Sequence, residues 1–188
     1  DPTADGPRTT PVRRGVAEDL AVVPQATVRG SYFEIAEADA DLLPSEGRVL
    51  WALVHPTIVT GADQVVVSWW ADERRFELLI DPVGRPVVAT DAGRITASTP
   101  CELGAWHAIV IRLEADTAIL ENKRVGGRYT SRTGPHFFDA SSERVRGPVA
   151  YPGNGREFGM RIGAGGSGSE TGAAFTGKIG PVGIGTAG

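Results

Sequence analysis

Met160-Arg161-Ile162-Gly163-Ala164, followed by Ala174-Phe175-Thr176-Gly177-Lys178-Ile179-Gly180-Pro181-Val182-Gly183-Ile184, decides how the rest of the chain is read. The first stretch has the pattern of a short strand ending in glycine. The second puts Phe175, Gly177 and Ile179 on one face, as a side-chain period of two requires, and a further short strand follows. A Gly-rich connection, Gly165 to Gly172, joins them. Two short strands with a loop between them predict a sheet-built ending.

The same grammar runs back through the chain. Val49 to His55 is an apolar run stopped by Pro56, and Val65 to Trp70 is another. Short apolar runs between breakers predict central strands covered on both faces. Phe76 to Ile80 leads into Asp81-Pro82-Val83-Gly84, a turn with proline and glycine at useful positions. Pro86 to Thr90 and Arg94 to Thr96 read as two shorter strands around the turn Asp91-Ala92-Gly93. Trp106 to Leu113 is a strong strand, and Thr117 to Glu121 returns beside it. The stretch from Gly126 to Gly155 is the least regular, with Asp139 to Val145 predicted as a short helix capped by Asp139. Residues 1–28 are expected to be an extended or partly ordered lead-in, in which Ala17 to Val23 forms a short helix or an extra strand. Residues 29–188 are expected to form a single domain. Strands recurring every ~8–12 residues predict an all-β antiparallel sandwich or barrel.

Composition agrees. The 25 glycines and 13 prolines among 188 residues would break helices but supply the turns of a many-stranded protein. The net charge is -4, and no basic cluster interleaves with aromatics, so no nucleic-acid partner is expected. No apolar stretch approaches the ~18 residues of a membrane helix, so no membrane partner is expected either. Cys101 is the only cysteine, which rules out an internal disulfide. Only Lys123 and Lys178 are lysines among 19 basic residues, an arginine bias typical of a GC-rich, bacterial coding sequence. The chain starts at Asp1 and not at Met, as expected of a processed product or an excised fragment.

The ordered set Gly30-Ser31-Tyr32-Phe33-Glu34-Ile35, Val49 to Thr57, Phe76 to Ile80 with Gly84, Gly104 to Val110, Met160 to Ala164 and Phe175 to Ile184 resembles laminin-G-like, concanavalin A-like jelly rolls. The resemblance covers about residues 29–186 and implies a β-sandwich of jelly-roll type. The stretch from Trp51 to Asp81 and the Gly177-Lys178-Ile179-Gly180-Pro181 ending also resemble the sandwich domain in large subunits of N,N-dimethylformamidase-type proteins. That second resemblance implies a non-catalytic module serving assembly or partner contact, with the catalytic part of the amidohydrolase elsewhere. Partners would then be other domains or subunits of a parent protein. A lectin-like, glycan-binding module is the alternative. A laminarinase-like glycosidase is the third reading.

Candidate chemistry is sparse. A glycosidase of this fold needs carboxylates alternating on one strand face. Glu37, Asp39 and Asp41 do alternate, but they sit among alanines and run into Pro44 and Gly47, as a solvated crossing does. Glu77 alternates outward from Phe76, Leu78 and Ile80, as an exposed strand position should. Gly163 to Gly168 matches G-x-G-x-x-G formally, but no helix pattern follows, so it reads as a flexible hairpin loop and not a dinucleotide site. His55, His107 and His136 have no ligand-like spacing with each other or with Cys101, and His107 is expected at the strand surface. No catalytic residue and no metal ligand set is therefore assigned, and no cofactor is expected. A calcium ion held by Asp91, Asp139 and Glu170 is the one exception that the resemblance suggests. Aromatics are the best lead. Trp51 and Trp106 are expected to be buried, whereas adjacent Trp69 and Trp70 must point to opposite faces, one of them core. Trp70, Tyr129, His136 and Tyr151 are the candidate ligand-binding residues, since an exposed aromatic stacks on a sugar or anchors a protein. The ordinary alternative is that the aromatics of the irregular stretch pin a long loop to the body.

Overall fold

A computed structural model describes residues 7–9, 23–24, 32–36, 48–71, 74–114, 116–130, 134–149, 158–166 and 172–186. Thirteen strands are described: β1 Pro7–Thr9, β2 Val23–Pro24, β3 Tyr32–Ala36, β4 Arg48–Pro56, β5 Gln64–Ala71, β6 Arg74–Ile80, β7 Pro86–Thr90, β8 Gly93–Thr96, β9 Trp106–Leu113, β10 Thr117–Thr130, β11 Gly134–Pro148, β12 Phe158–Ile162 and β13 Gly177–Thr186. No helix occurs among the described residues. The strands form a seven-stranded sheet, β1-β3-β12-β5-β6-β7-β8, and a six-stranded sheet, β11-β10-β9-β4-β13-β2. Every pairing is antiparallel except β1 with β3. Two pieces of the lead-in thus serve as edge strands, one on each sheet.

Alternation buries one face of each sheet against the other. From the six-stranded sheet come Leu50, Ala52, Val54, Ile109 and Ile111; from the seven-stranded sheet come Val67, Trp69, Phe76, Leu78 and Ile80. Trp69 and Phe76 face each other across β5 and β6 with ring centroids 5.9 Å apart. Fully burying a side chain of this size contributes about 1.5–3 kcal/mol. The closing strands have interior places: β12 lies between β3 and β5, and β13 between β4 and β2.

Several expectations are corrected. The predicted helix from Asp139 to Val145 is part of β11, which pairs with β10 along most of its length. Long-range pairing overrides the weak β propensity of Asp-Ala-Ser-Ser-Glu. Strand β4 is not covered on both faces. Its inward face is buried, whereas Val49, Trp51, Leu53 and His55 on the outward face keep partial or full exposure. β5 is covered on both faces, apart from the half-buried Trp70. Beside it, Glu77 is not an exposed strand position. It is half-buried, accepts a hydrogen bond from Ser68 Oγ at 3.2 Å, and lies under Gly165.

The glycine-rich connection is pinned where it is described. Gly163 N–H donates to Val66 O at 2.7 Å, Phe175 N–H to Gly163 O at 2.9 Å, and Ser68 Oγ to Gly166 O at 3.3 Å. Residues 163–166 are all buried over β5. The β6–β7 turn is fixed by one carboxylate. Asp81 Oδ1 accepts from the Val83 and Arg85 N–H groups at 3.0 and 2.8 Å, and Oδ2 from Arg85 Nε at 2.8 Å. Gly84 holds φ +93°, a left-handed conformation that glycine adopts without the Cβ penalty.

Candidate functional site

The outward face of the six-stranded sheet is built from cross-strand rows. One row runs Gly183 on β13, Trp51 on β4, Val110 on β9, Glu121 on β10 and Arg144 on β11. Trp51 is 37% exposed, although it was expected in the core. Its indole lies across Gly183: a Cβ added there would stand 2.4 Å from Trp51 Cε2 and Nε1. The ring thus lies against β13 at Gly183, and the residue keeps part of its surface in solvent. Trp106, also expected to be buried, is half-buried on the same outward face and meets the His55 ring edge-on at 5.1 Å.

At the far end of the row sits Glu121, only 3% exposed. Arg144 Nη2 donates to its Oε1. Arg112 Nε stands 3.7 Å from Oε1 and Lys123 Nζ 3.9 Å from Oε2. One carboxylate thus gathers three cations, and the cluster is net positive. Arg146 on the neighbouring row is already paired with Glu114.

A second polar group lies inside the sandwich. His107, expected at the surface, is 3% exposed and points inward with Ile109 and Ile111. Glu102 N–H donates to its Nε2 at 2.9 Å, so Nδ1 carries the ring proton and donates to Asn122 Oδ1 at 3.0 Å. The Cys101 thiol donates to the same oxygen at 4.0 Å. Cysteine hydrolases use Cys, His and Asn, but the wiring here differs. Both ring nitrogens are engaged without the thiol. Burial pushes the Cys101 thiol up to about 12, against the opposing Asn122 hydrogen bond, so no thiolate forms near neutrality. Burial likewise lowers the His107 pKa below the ordinary value, with the Asn122 hydrogen bond and Glu102 opposing it in part. Sequence spacing missed this trio; the signal was His107's place in the alternation with Ile109 and Ile111.

The remaining candidates are scattered. Trp70 lies on the outward face of the seven-stranded sheet, half-buried, folded over Gly159 and 5.4 Å from the guanidinium carbon of the buried Arg161. Its neighbour Trp69 is the fully buried member of the pair. Tyr129 on β10 and His136 on β11 belong to the other sheet, close together near the hairpin end, in the registered pairs Tyr129↔Pro135 and Arg128↔His136. Tyr151, Glu170, Glu37, Asp39 and Asp41 lie outside the described residues. Of the calcium candidates, Asp91 is exposed and its Oδ2 accepts the Arg75 N–H at 3.3 Å, while Asp139 stands within β11 and not in a loop. Among the described residues no three His, Cys, Asp or Glu side chains gather as a metal site.

Comparison with solved structures places the architecture. The LG1–3 region of the laminin α2 chain superposes with a TM-score of 0.56 at 10% identity, over 81% of this chain and 29% of that one. The fold is that of a laminin-G-like jelly roll. The enzymatically active domain of tailspike protein 2 from bacteriophage CBA120 gives 0.53 at 14% identity, over 89% of this chain and 25% of that one. The chain therefore spans less than a third of the length of either. No family model matches the sequence, and no curated protein matches it.

Proposed function

We propose that this jelly roll is a non-catalytic recognition module of a larger protein, and that it engages its partner through the outward face of the six-stranded sheet around Trp51. The carrying observation is the indole itself. A large aromatic seated on Gly183 and still partly exposed on a sheet face is well suited to stacking or to anchoring a partner. The buried, fully engaged Cys101–Asn122–His107 group supports a non-catalytic role. The small share of the similar solved chains that this one spans supports a modular role.

A protein partner is the second reading, favoured by the half-buried Trp106, Leu53 and Val110 beside Trp51. It includes assembly within an N,N-dimethylformamidase-like amidohydrolase. Two measurements test these readings. An antibody against this chain is used on source-cell lysate. A band far above 19.8 kDa supports the module, and a band at 19.8 kDa rejects both the module and the formamidase-type assembly. Binding to immobilised glycans and to the remainder of the parent protein is then compared for wild type, Trp51→Ala and Trp70→Ala. Loss confined to Trp51→Ala supports the proposed face, and undiminished binding by that variant rejects it.

A further inference from the structure

Resting on that reading of the Trp51 face, we infer that its ligand is a carboxylate-bearing oligosaccharide, lying across the strands from Trp51 to the Arg112–Lys123 pair. Three features of the row point to this class. The first is the partly exposed indole of Trp51, since an aromatic ring stacks on the C–H face of a pyranose. The second is spacing. Trp51 and Glu121 are two strands apart in register, on the order of 10 Å, the reach of a short oligosaccharide and not of one sugar. The third is charge. Arg144 is committed to Glu121, but Arg112 and Lys123 stand beyond hydrogen-bond distance of it, with 44% and 37% of their side chains exposed. Their N–H donors are therefore available to an incoming acceptor.

Glu121 then has a specific part. Nearly buried between the cations, it holds them in place without neutralising them all, so their positions are set before ligand arrives. A planar guanidinium fork fits a carboxylate with two parallel hydrogen bonds. A neutral sugar leaves this charge unused.

The test titrates the purified chain with oligomers of galacturonate, glucuronate, mannuronate and guluronate, each beside its carboxyl-reduced counterpart, read by calorimetry and tryptophan fluorescence. At least one uronate oligomer is expected to bind, and its reduced counterpart to bind at least about tenfold more weakly. Trp51→Ala, and the double variant Arg112→Gln with Lys123→Gln, are each expected to weaken uronate binding by about tenfold or more. Arg94→Gln, on β8 of the seven-stranded sheet and paired with Asp63, leaves it unchanged. Binding also weakens as ionic strength rises through about 0.1 M. Equal binding of acid and reduced forms, still dependent on Trp51, overturns the anionic class and leaves the face standing. Uronate binding that survives Trp51→Ala overturns both. Failure of every uronate to bind overturns the ligand class, and the parent-protein comparison then judges the face. Melting curves of each variant separate lost binding from lost fold.

Discussion

Trp51 and Gly183 are cross-strand partners on β4 and β13, and the indole occupies the space that any side chain at 183 would need. Trp70 and Gly159 repeat the relationship on β5 and β12, where an added Cβ would come within 2.2 Å of the ring. Each sheet thus carries one tryptophan folded over a glycine on its outward face.

Gly183→Ala is expected to lift the Trp51 ring off β13, with a red-shifted emission and a stability loss of about 1 kcal/mol. Because the two residues touch, the cost falls when Trp51 is also truncated. Additive losses in the Trp51→Ala, Gly183→Ala double-mutant cycle would show that the contact does not exist.

Acid should weaken the fold through His107. Its folded pKa lies below the ordinary value because burial opposes the charged ring. The unfolded chain takes up the proton near pH 6.5, before the folded state does. Stability from this group is therefore complete above about pH 6.5 and is lost as pH falls toward the folded pKa. Urea unfolding across that window should show the slope in wild type and lose it in His107→Gln.

Cys101 should be inert in the native state. With the thiol pushed up to about 12 and buried, alkylation by iodoacetamide at pH 8 is expected only after denaturant is added. Rapid labelling of the folded chain would contradict the placement beside Asn122.

The Asp81 turn has its own acid limit. Burial pushes the Asp81 pKa up, but the Arg85 and Val83 N–H groups and the Arg85 guanidinium outweigh it, so the net shift is downward. Its contribution is present above the unfolded value near pH 3.9 and is lost as pH falls through the folded one. Asp81→Ala should cost about 1.5–3 kcal/mol at neutral pH, since three hydrogen bonds to an ionised acceptor go with it.

The strands were legible where polarity or punctuation changed sharply. Trp106 to Leu113 was read with the bounds that β9 has, and Asp91-Ala92-Gly93 was read as the turn that joins β7 to β8. The outward face around Trp51 was not. In β4 both alternating sets, Leu50-Ala52-Val54 and Val49-Trp51-Leu53, are apolar, so the period of two identifies a strand without saying which face is covered. Only the glycines of β13, placed opposite by a pairing more than a hundred residues long in sequence, reveal the outward tryptophan. Glu121 was equally hidden, because its three cations come from three different places in the chain.

The interior positions of β12 and β13 bear on how the molecule is made. During synthesis β3 and β5 wait, unjoined, for β12, and β4, paired with β9 on one side, has an open edge until β13 is translated. The seven-stranded sheet is in two pieces until β12 arrives, and the six-stranded sheet keeps β2 apart until β13 does. A nascent chain halted at Val149 should therefore be protease-sensitive and prone to self-association, and closure should be a late, slow event dominated by distant contacts.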